Sequence, residues 1–243
     1  MSIQINNNDK NKEYEVKYFK YDVDKYPFVK LLESLFDIDD LSEIHTLNNE
    51  ISSSELFSNE NDDATFFHDK FYNKLNNGWK EFEETYLNFV KKVMVDVFAV
   101  NSIIHQALPT FRVQLPDNIA VGGNKNDLPD RYGWHKDTDG EYAHPPFEKN
   151  FIIPLTNSKD TASVFIETYP NSDDFKSANM KVGEFFQFAG GECIHGNKKN
   201  ISRKSRVSLD FRTVLKDDYD AGYSESSKLK NKKFQIGGYY REI

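Results

Sequence analysis

From about residue 100 onward the chain breaks into short apolar runs, each closed off by proline, glycine, asparagine or aspartate. Residues 111–115, 119–121, 151–155, 163–167, 184–188, 193–195 and 206–215 share this texture. Runs this short suit strands, and several strands at this spacing predict a sandwich or barrel. The last run is the most informative. Arg206-Val207-Ser208-Leu209-Asp210-Phe211-Arg212 alternates strictly. Val207, Leu209 and Phe211 therefore face one way, and Arg206, Ser208, Asp210 and Arg212 the other. A strand whose inner face is charged is costly to bury unless that face grips something charged.

The texture before residue 100 is different. Residues 1–12 are polar and expected to fray, and residues 14–19 alternate like a short strand. A helix is predicted over 26–36, with Asp24 as its cap, Pro27 in its first turn, and Phe28, Leu31, Leu32 and Leu35 on one face. Residues 48–63, rich in serine, asparagine and acid, read as a loop. The longest helical signal covers 63–98, with a break at Asn76-Asn77-Gly78. In its second half Trp79, Phe82, Tyr86, Phe89, Val90, Val93 and Val97 form one broad stripe, the pattern of a helix packed on a sheet. At the other end, residues 216–233 are charged and turn-rich. They lead into Phe234-Gln235-Ile236-Gly237-Gly238-Tyr239-Tyr240, an aromatic patch able to dock back onto the body. The expected organisation is a helical layer over 1–100, a β core over 101–215 and a C-terminal tail or flap over 216–243, all in one integrated α+β domain that is mainly β.

A length of 243 residues suits such a domain. Thirty-one Lys and Arg against 39 Asp and Glu give a net charge of −8, which argues against nucleic acid or an anionic membrane surface as the main partner. No run approaches the roughly 18 apolar residues of a membrane span. The first 12 residues carry no apolar leader, and Cys193 is the single cysteine. Both fit a cytoplasmic protein without disulfides. The expected partner is a small molecule; the oligomeric state is not legible.

Six histidines are present, and only His135 is followed two residues later by an acid, in Trp134-His135-Lys136-Asp137. With 39 acids in 243 residues, about one such triplet arises by chance, so its context carries the weight. Residues i and i+2 of an extended segment point the same way, so His135 and Asp137 can bind one ion together. His195 lies 58 residues past Asp137, in a strand-like segment after Gly190-Gly191, where a late strand can return beside an early one. Two histidines and one carboxylate on a sheet are the ligand set of a non-haem Fe(II) oxygenase and leave one face of the octahedron open. Arg206 with Ser208 suits a dicarboxylate: the planar guanidinium takes a carboxylate in two parallel bonds and the hydroxyl adds a third.

Together, His135-x-Asp137, His195 and Arg206-x-Ser208 resemble the Fe(II)/2-oxoglutarate-dependent dioxygenase superfamily. Three longer stretches resemble the streptomycin-biosynthesis StrG-like family. They are Pro109-Thr110-Phe111-Arg112-Val113-Gln114-Leu115-Pro116, Asn150-Phe151-Ile152-Ile153-Pro154-Leu155-Thr156-Asn157, and His195-Gly196-Asn197 through to Arg212. The closing Phe-x-Ile-Gly-Gly-Tyr-Tyr is similar as well. The resemblance runs from about residue 26 to the end and is strongest over 109–214. It implies a double-stranded β-helix (jelly-roll, cupin-like) core packed against helices. It also implies Fe(II) on His135, Asp137 and His195, with 2-oxoglutarate as cosubstrate on Arg206 and Ser208, and O2 as oxidant. A sugar-like or antibiotic-type substrate follows from the same analogy. Residues 122–133 look longer than the family's usual link, which reshapes the expected site entrance.

Arg112, His144 and Arg212 are candidate substrate contacts. Arg212 has the alternative of neutralising Asp210. Gln114 shares a face with Arg112, and Asp139 is a possible supporting carboxylate. Cys193 falls on the His195 side but reads best as a small buried hydrophobe. Tyr239 and Tyr240 either close the pocket or anchor the tail, and His45, His68 and His105, in the helical region, have no assigned role. Two rival readings stay open: a cupin-type metalloenzyme that does not use 2-oxoglutarate, and a non-catalytic carbohydrate-binding jelly-roll module.

Overall fold

The computed structural model describes residues 12–47, 65–118, 131–228 and 232–243. The predicted strand at 119–121, residues 1–11 of the polar start, the loop at 48–63 and most of 122–133 lie outside the described residues. Within them the protein is mainly β, with helices packed on one sheet.

The large sheet holds β1 (Lys17–Lys20), β8 (Glu184–Phe188), β5 (Lys149–Pro154), β10 (Arg206–Val214), β2 (Ile104–Gln106) and β13 (Tyr240–Glu242), in that spatial order. The seventh strand, β3 (Thr110–Gln114), also lies along β10. A smaller sheet runs β4 (Tyr132–His135), β9 (His195–Asn197), β6 (Val164–Glu167) and β7 (Phe175–Ser177). A two-stranded ribbon of β11 (Ser226–Ser227) and β12 (Lys232–Lys233) stands apart. All strand pairings are antiparallel.

β10 organises the molecule. Its nine residues are all buried. One edge pairs with β5; the other is shared, Arg206 to Asp210 lying against β3 and Thr213–Val214 against β2. Its alternation is realised in space. Val207, Leu209 and Phe211 join the core that also holds Phe28, Phe71, Phe82 and Phe89 from the helices. The ring of Phe211 stacks on Phe151 and meets Phe89 and Tyr86 edge-on. Burying a phenylalanine stabilises by about 1.5–3 kcal/mol, so this aromatic layer is the main adhesive between helices and sheet. A second core joins the two sheets, with Ile152, Phe186 and Phe188 from the large one and Val164 and Ile166 from the small one.

The helices follow from local sequence with two corrections. Helix α1 spans Phe28–Phe36, but Asp24 does not cap it; Pro27 holds the N-cap position and Asp24 pairs with Lys30 at 3.1 Å. The carboxylate of Asp22 instead accepts the N–H groups of Asp24 and Lys25 in the preceding turn. Helix α2 (Phe66–Asn76) is capped by Thr65, which accepts the His68 N–H. The predicted break follows at Asn77 and Gly78, where φ is +85°. Next come α3 (Lys80–Phe89), a π turn at Val90–Met94 and α4 (Val95–Phe98). The extra residue of the π turn rotates the stripe, so Met94 is buried while Val93 and Val97 are only half-buried. No helix among the described residues is long and apolar enough to cross a membrane.

The first and last strands among the described residues both join the large sheet. β1 pairs with β8, and β13 pairs with β2, which brings Tyr240 and Phe234 into a third core with Ile104 and Val214. His105, expected in the helical region, lies instead in β2. The segment 193–195 is not a strand throughout: Cys193 sits in the turn and β9 begins at His195.

Candidate metal centre

β4 and β9 pair so that His135 and His195 are directly opposite. Cross-strand neighbours on one face approach closely, and the two rings lie 4.6 Å apart. Asp137 follows β4 by two residues, its N–H donating to the carbonyl of Gly190 at 2.8 Å. A Cβ at Gly190 would lie 2.8 Å from the Asn150 side chain, so this approach needs glycine. The loop before His195 is thereby tied to the loop after His135.

The two imidazoles have the same arrangement. His135 Nδ1 donates to the Gly133 carbonyl at 2.6 Å, and His195 Nδ1 to the Cys193 carbonyl at 3.2 Å. Each Nε2 is thus left as a lone-pair donor atom. Both aim at Asp137 Oδ1, at 3.4 Å from His135 and 3.6 Å from His195. The three ligand atoms lie within 4.8 Å of one another. Two donors at right angles on one ion at ~2.1 Å stand about 3 Å apart, so the gap is of single-ion size. Around it, Tyr142 stacks on His135 with centroids 3.9 Å apart, and Phe188 meets His195 edge-on.

The other carboxylate oxygen is fully engaged. Asp137 Oδ2 accepts from Arg212 Nη2 at 2.8 Å and from the Asn150 amide. Arg212 and Asn150 are themselves register partners on β10 and β5. Burial would raise the Asp137 carboxyl, but Arg212 and the histidines outweigh it and hold it well below the usual carboxylate range. Burial, with His135 alongside, pushes His195 down to about 4, so it is neutral at pH 7. Burial also lowers His135, yet the hydrogen bond and charge of Asp137 leave it raised overall. A buried anion between two imidazoles, one of them neutral, is the donor set of a divalent transition metal.

Arg206 is buried, and its Nη1 donates to Asn197 Oδ1. Its Nε is buried without a hydrogen-bond partner among the described residues. Burial first, then the neighbouring Arg112, depress this guanidinium to about 9. Its cross-strand partner Gln114 also has a buried Oε1 with no hydrogen-bond partner among them. Ser208 is buried on the same face of β10, opposite Arg112. Arg112 donates to Asp210 Oδ2 at 3.2 Å. Arg212 pairs with Asp137 and Asp210, and its Nε faces Glu148 at 3.7 Å. His144 bonds Glu148 through Nδ1 at 2.7 Å, its ring against Phe234 and Tyr239.

Other residues sit apart from the centre. Asp139 accepts the Lys136 N–H at 2.9 Å, closing a turn. Cys193 is buried in the inter-sheet core, where burial pushes its thiol up to about 12. His45 bonds Ser205, and His68 bonds Thr65. Tyr239 donates to Gln106 Oε1 at 3.0 Å. Sequence reasoning missed Asn150, Glu148 and Tyr142, because only strand pairing and loop closure reveal their roles.

Gly196, next to His195, faces Trp134: a Cβ there would lie 2.1 Å from the indole. Trp134 is also fixed by its Nε1 bond to the Asn197 carbonyl at 2.9 Å. Gly196→Ala is expected to destabilise the protein by about 1–3 kcal/mol, read as a lower urea midpoint at unchanged m-value.

In sequence the chain aligns with the streptomycin biosynthesis protein StrG of Streptomyces griseus, 28% identical over 224 residues, which is 92% of this chain and 96% of that protein. The similarity to StrG is nearly end to end. No family model matches. Among solved structures, an oxidoreductase of the 2OG-Fe(II) oxygenase family from Burkholderia pseudomallei aligns with 65% of this chain at TM-score 0.37 and 13% identity. The alignment covers 60% of that protein's length. HygX of Streptomyces hygroscopicus, solved with nickel and 2-oxoglutarate bound, aligns with 92% of this chain and 97% of its own, at TM-score 0.40 and 12% identity.

Proposed function

We propose that the protein is a non-haem Fe(II)- and 2-oxoglutarate-dependent dioxygenase that hydroxylates a small polar metabolite, its two antiparallel sheets forming a double-stranded β-helix core. The observation that carries this reading is the convergence of His135, Asp137 and His195, whose ligand atoms lie within 4.8 Å of one another, with both Nε2 atoms facing Asp137 Oδ1. The remaining polar atoms of all three side chains are tied to carbonyls, Arg212 or Asn150. These residues fit Fe(II): two imidazoles and a buried carboxylate, with the rest of the coordination sphere left to cosubstrate and water.

When bound, Fe(II) supplies the activation of O2 that couples decarboxylation of 2-oxoglutarate to succinate and CO2 with insertion of one oxygen atom into the substrate. The chain's own residues bind and orient. His135, Asp137 and His195 would hold the ion. Arg212 and Asn150 keep Asp137 ionised and turned. Arg206, with an unsatisfied N–H in a buried strand, would take the distal carboxylate of 2-oxoglutarate beside the Ser208 hydroxyl. A desolvated guanidinium needs an anion, which favours a dicarboxylate cosubstrate over a cupin enzyme without one. The similarity to StrG, a streptomycin biosynthesis protein, supports a sugar-like or antibiotic-type intermediate as substrate. Arg112 and His144 are the side chains proposed to meet it.

Thermal unfolding without O2 tests the proposal. Mn(II) alone is expected to raise the melting temperature, and 2-oxoglutarate to raise it further only when Mn(II) is present. A ligand at 100 times its Kd adds about 2.7 kcal/mol. Melting curves indifferent to the pair would instead support a non-catalytic carbohydrate-binding module.

A further inference from the structure

Arg212 is surrounded by three carboxylates. Its Nη2 meets Asp137 Oδ2 at 2.8 Å, its Nη1 meets Asp210 Oδ1 at 3.1 Å, and its Nε faces Glu148 Oε2 at 3.7 Å. Two hydrogen bonds at Nη1 and Nη2 restrain the planar guanidinium, while its buried Nε–H has no hydrogen-bond partner among the described residues and has Glu148 as the facing charge. The first contact ties it to the metal centre, and the second holds it to Asp210 on its own strand. The third is an ion pair beyond hydrogen-bond reach, at the Nε end of the guanidinium plane.

Glu148 is itself buried and anchored twice. His144 Nδ1 bonds its Oε2 at 2.7 Å, and the Tyr240 hydroxyl donates to its Oε1. Tyr240 is fully buried in β13, paired to β2 at Gln106. The tail reinforces the same loop elsewhere: Tyr223 donates to the Ala143 carbonyl, and the Lys228 N–H to the Glu141 carbonyl. A continuous chain of contacts therefore runs from the C-terminal strand through Glu148 and Arg212 to the one carboxylate of the centre.

We infer that Glu148, fixed by Tyr240 of the C-terminal strand, is a positioning residue of the metal centre: it sets the plane of Arg212, which occupies Asp137 Oδ2 and reserves Oδ1 for the ion. The inference rests on the metal-binding reading of His135, Asp137 and His195. Its reach is toward the tail, which contributes no ligand yet determines how well the ligand carboxylate is held. Groups that orient a metal ligand from behind typically account for 10–100-fold in metal affinity.

Anaerobic titration with Co(II) alone, followed by its visible ligand-field absorption, tests this on the full chain. The wild type is expected to bind one Co(II) per chain. Glu148→Gln keeps shape and removes charge; it is expected to bind Co(II) about 10–100-fold more weakly, with shifted bands. Tyr240→Phe deletes one hydroxyl and is expected to shift both readouts the same way by less. A folded Glu148→Gln with wild-type affinity, or with weaker binding but unchanged bands, overturns the inference. Should Glu148→Gln fail to fold, Tyr240→Phe decides by the same two readouts. A wild type that binds no Co(II) overturns the underlying metal centre, a result distinct from either.

Discussion

His135→Ala is expected to abolish Fe(II)-dependent conversion of 2-oxoglutarate to succinate, by more than about 100-fold, while the protein stays folded. The choice of residue matters. His135 is the most accessible of the three candidate ligands, its side chain 23% exposed against 4% for Asp137 and 10% for His195. Its removal takes away one imidazole and the Tyr142 stack but leaves no buried charge unpaired. Asp137→Ala would strip Arg212 and Asn150 of their shared acceptor. Breaking a buried ion pair from one side costs about 3–5 kcal/mol, so loss of activity in that variant is entangled with loss of fold. Succinate release by His135→Ala at the wild-type rate would reject the assignment.

Arg206→Met is expected to separate stability from function in the opposite sense. The guanidinium is buried, depressed to about 9, and carries an N–H with no hydrogen-bond partner among the described residues. In the ligand-free protein it is a desolvated charge beside Arg112, and an apolar chain of similar length relieves that cost. The variant is expected to gain about 1 kcal/mol in stability, the loss of the Asn197 contact offsetting part of the relief. Its affinity for 2-oxoglutarate is expected to fall at least about 30-fold, since removing one side of a buried charged contact costs about 2–5 kcal/mol. Metal affinity is expected to hold, because Arg206 touches none of His135, Asp137 or His195. Chemical denaturation and binding titrations check both halves. Equal loss of metal and 2-oxoglutarate affinity would make Arg206 a structural residue.

Residues within one element were legible in the sequence. The β10 alternation, the Trp79–Val90 stripe and the turn at Asn77-Gly78 are encoded by side-chain periodicity and by glycine's access to positive φ. The pair His135 and Asp137 stood out by its spacing, but the expected extended segment ends at His135: Asp137 lies in the following turn, and its N–H bond to the Gly190 carbonyl holds that turn against the loop before His195. His195 came into view through its spacing and the family resemblance. Short strands were harder: β2, β7 and β13 have three residues each, too few for alternation to register. Asp24 lost the cap it was expected to provide because Asp22 already organises that turn and Pro27 sets the helix start. The π turn at Val90–Met94 is invisible to periodicity, since it is a departure from the period itself.

What the chain specifies by itself is therefore the material: strands with one charged face, a helical layer with one apolar face, and imidazole and carboxylate side chains at strand ends. Tertiary structure alone decided which of these groups meet. Asn150 and Arg212 converge on Asp137 because β5 and β10 are in register. Glu148 meets Tyr240 across 92 residues because β13 pairs with β2. The physical reason is that periodicity fixes the direction of a side chain within its own strand. The partner across the sheet is set by strand register and loop closure, which depend on burying both cores at once.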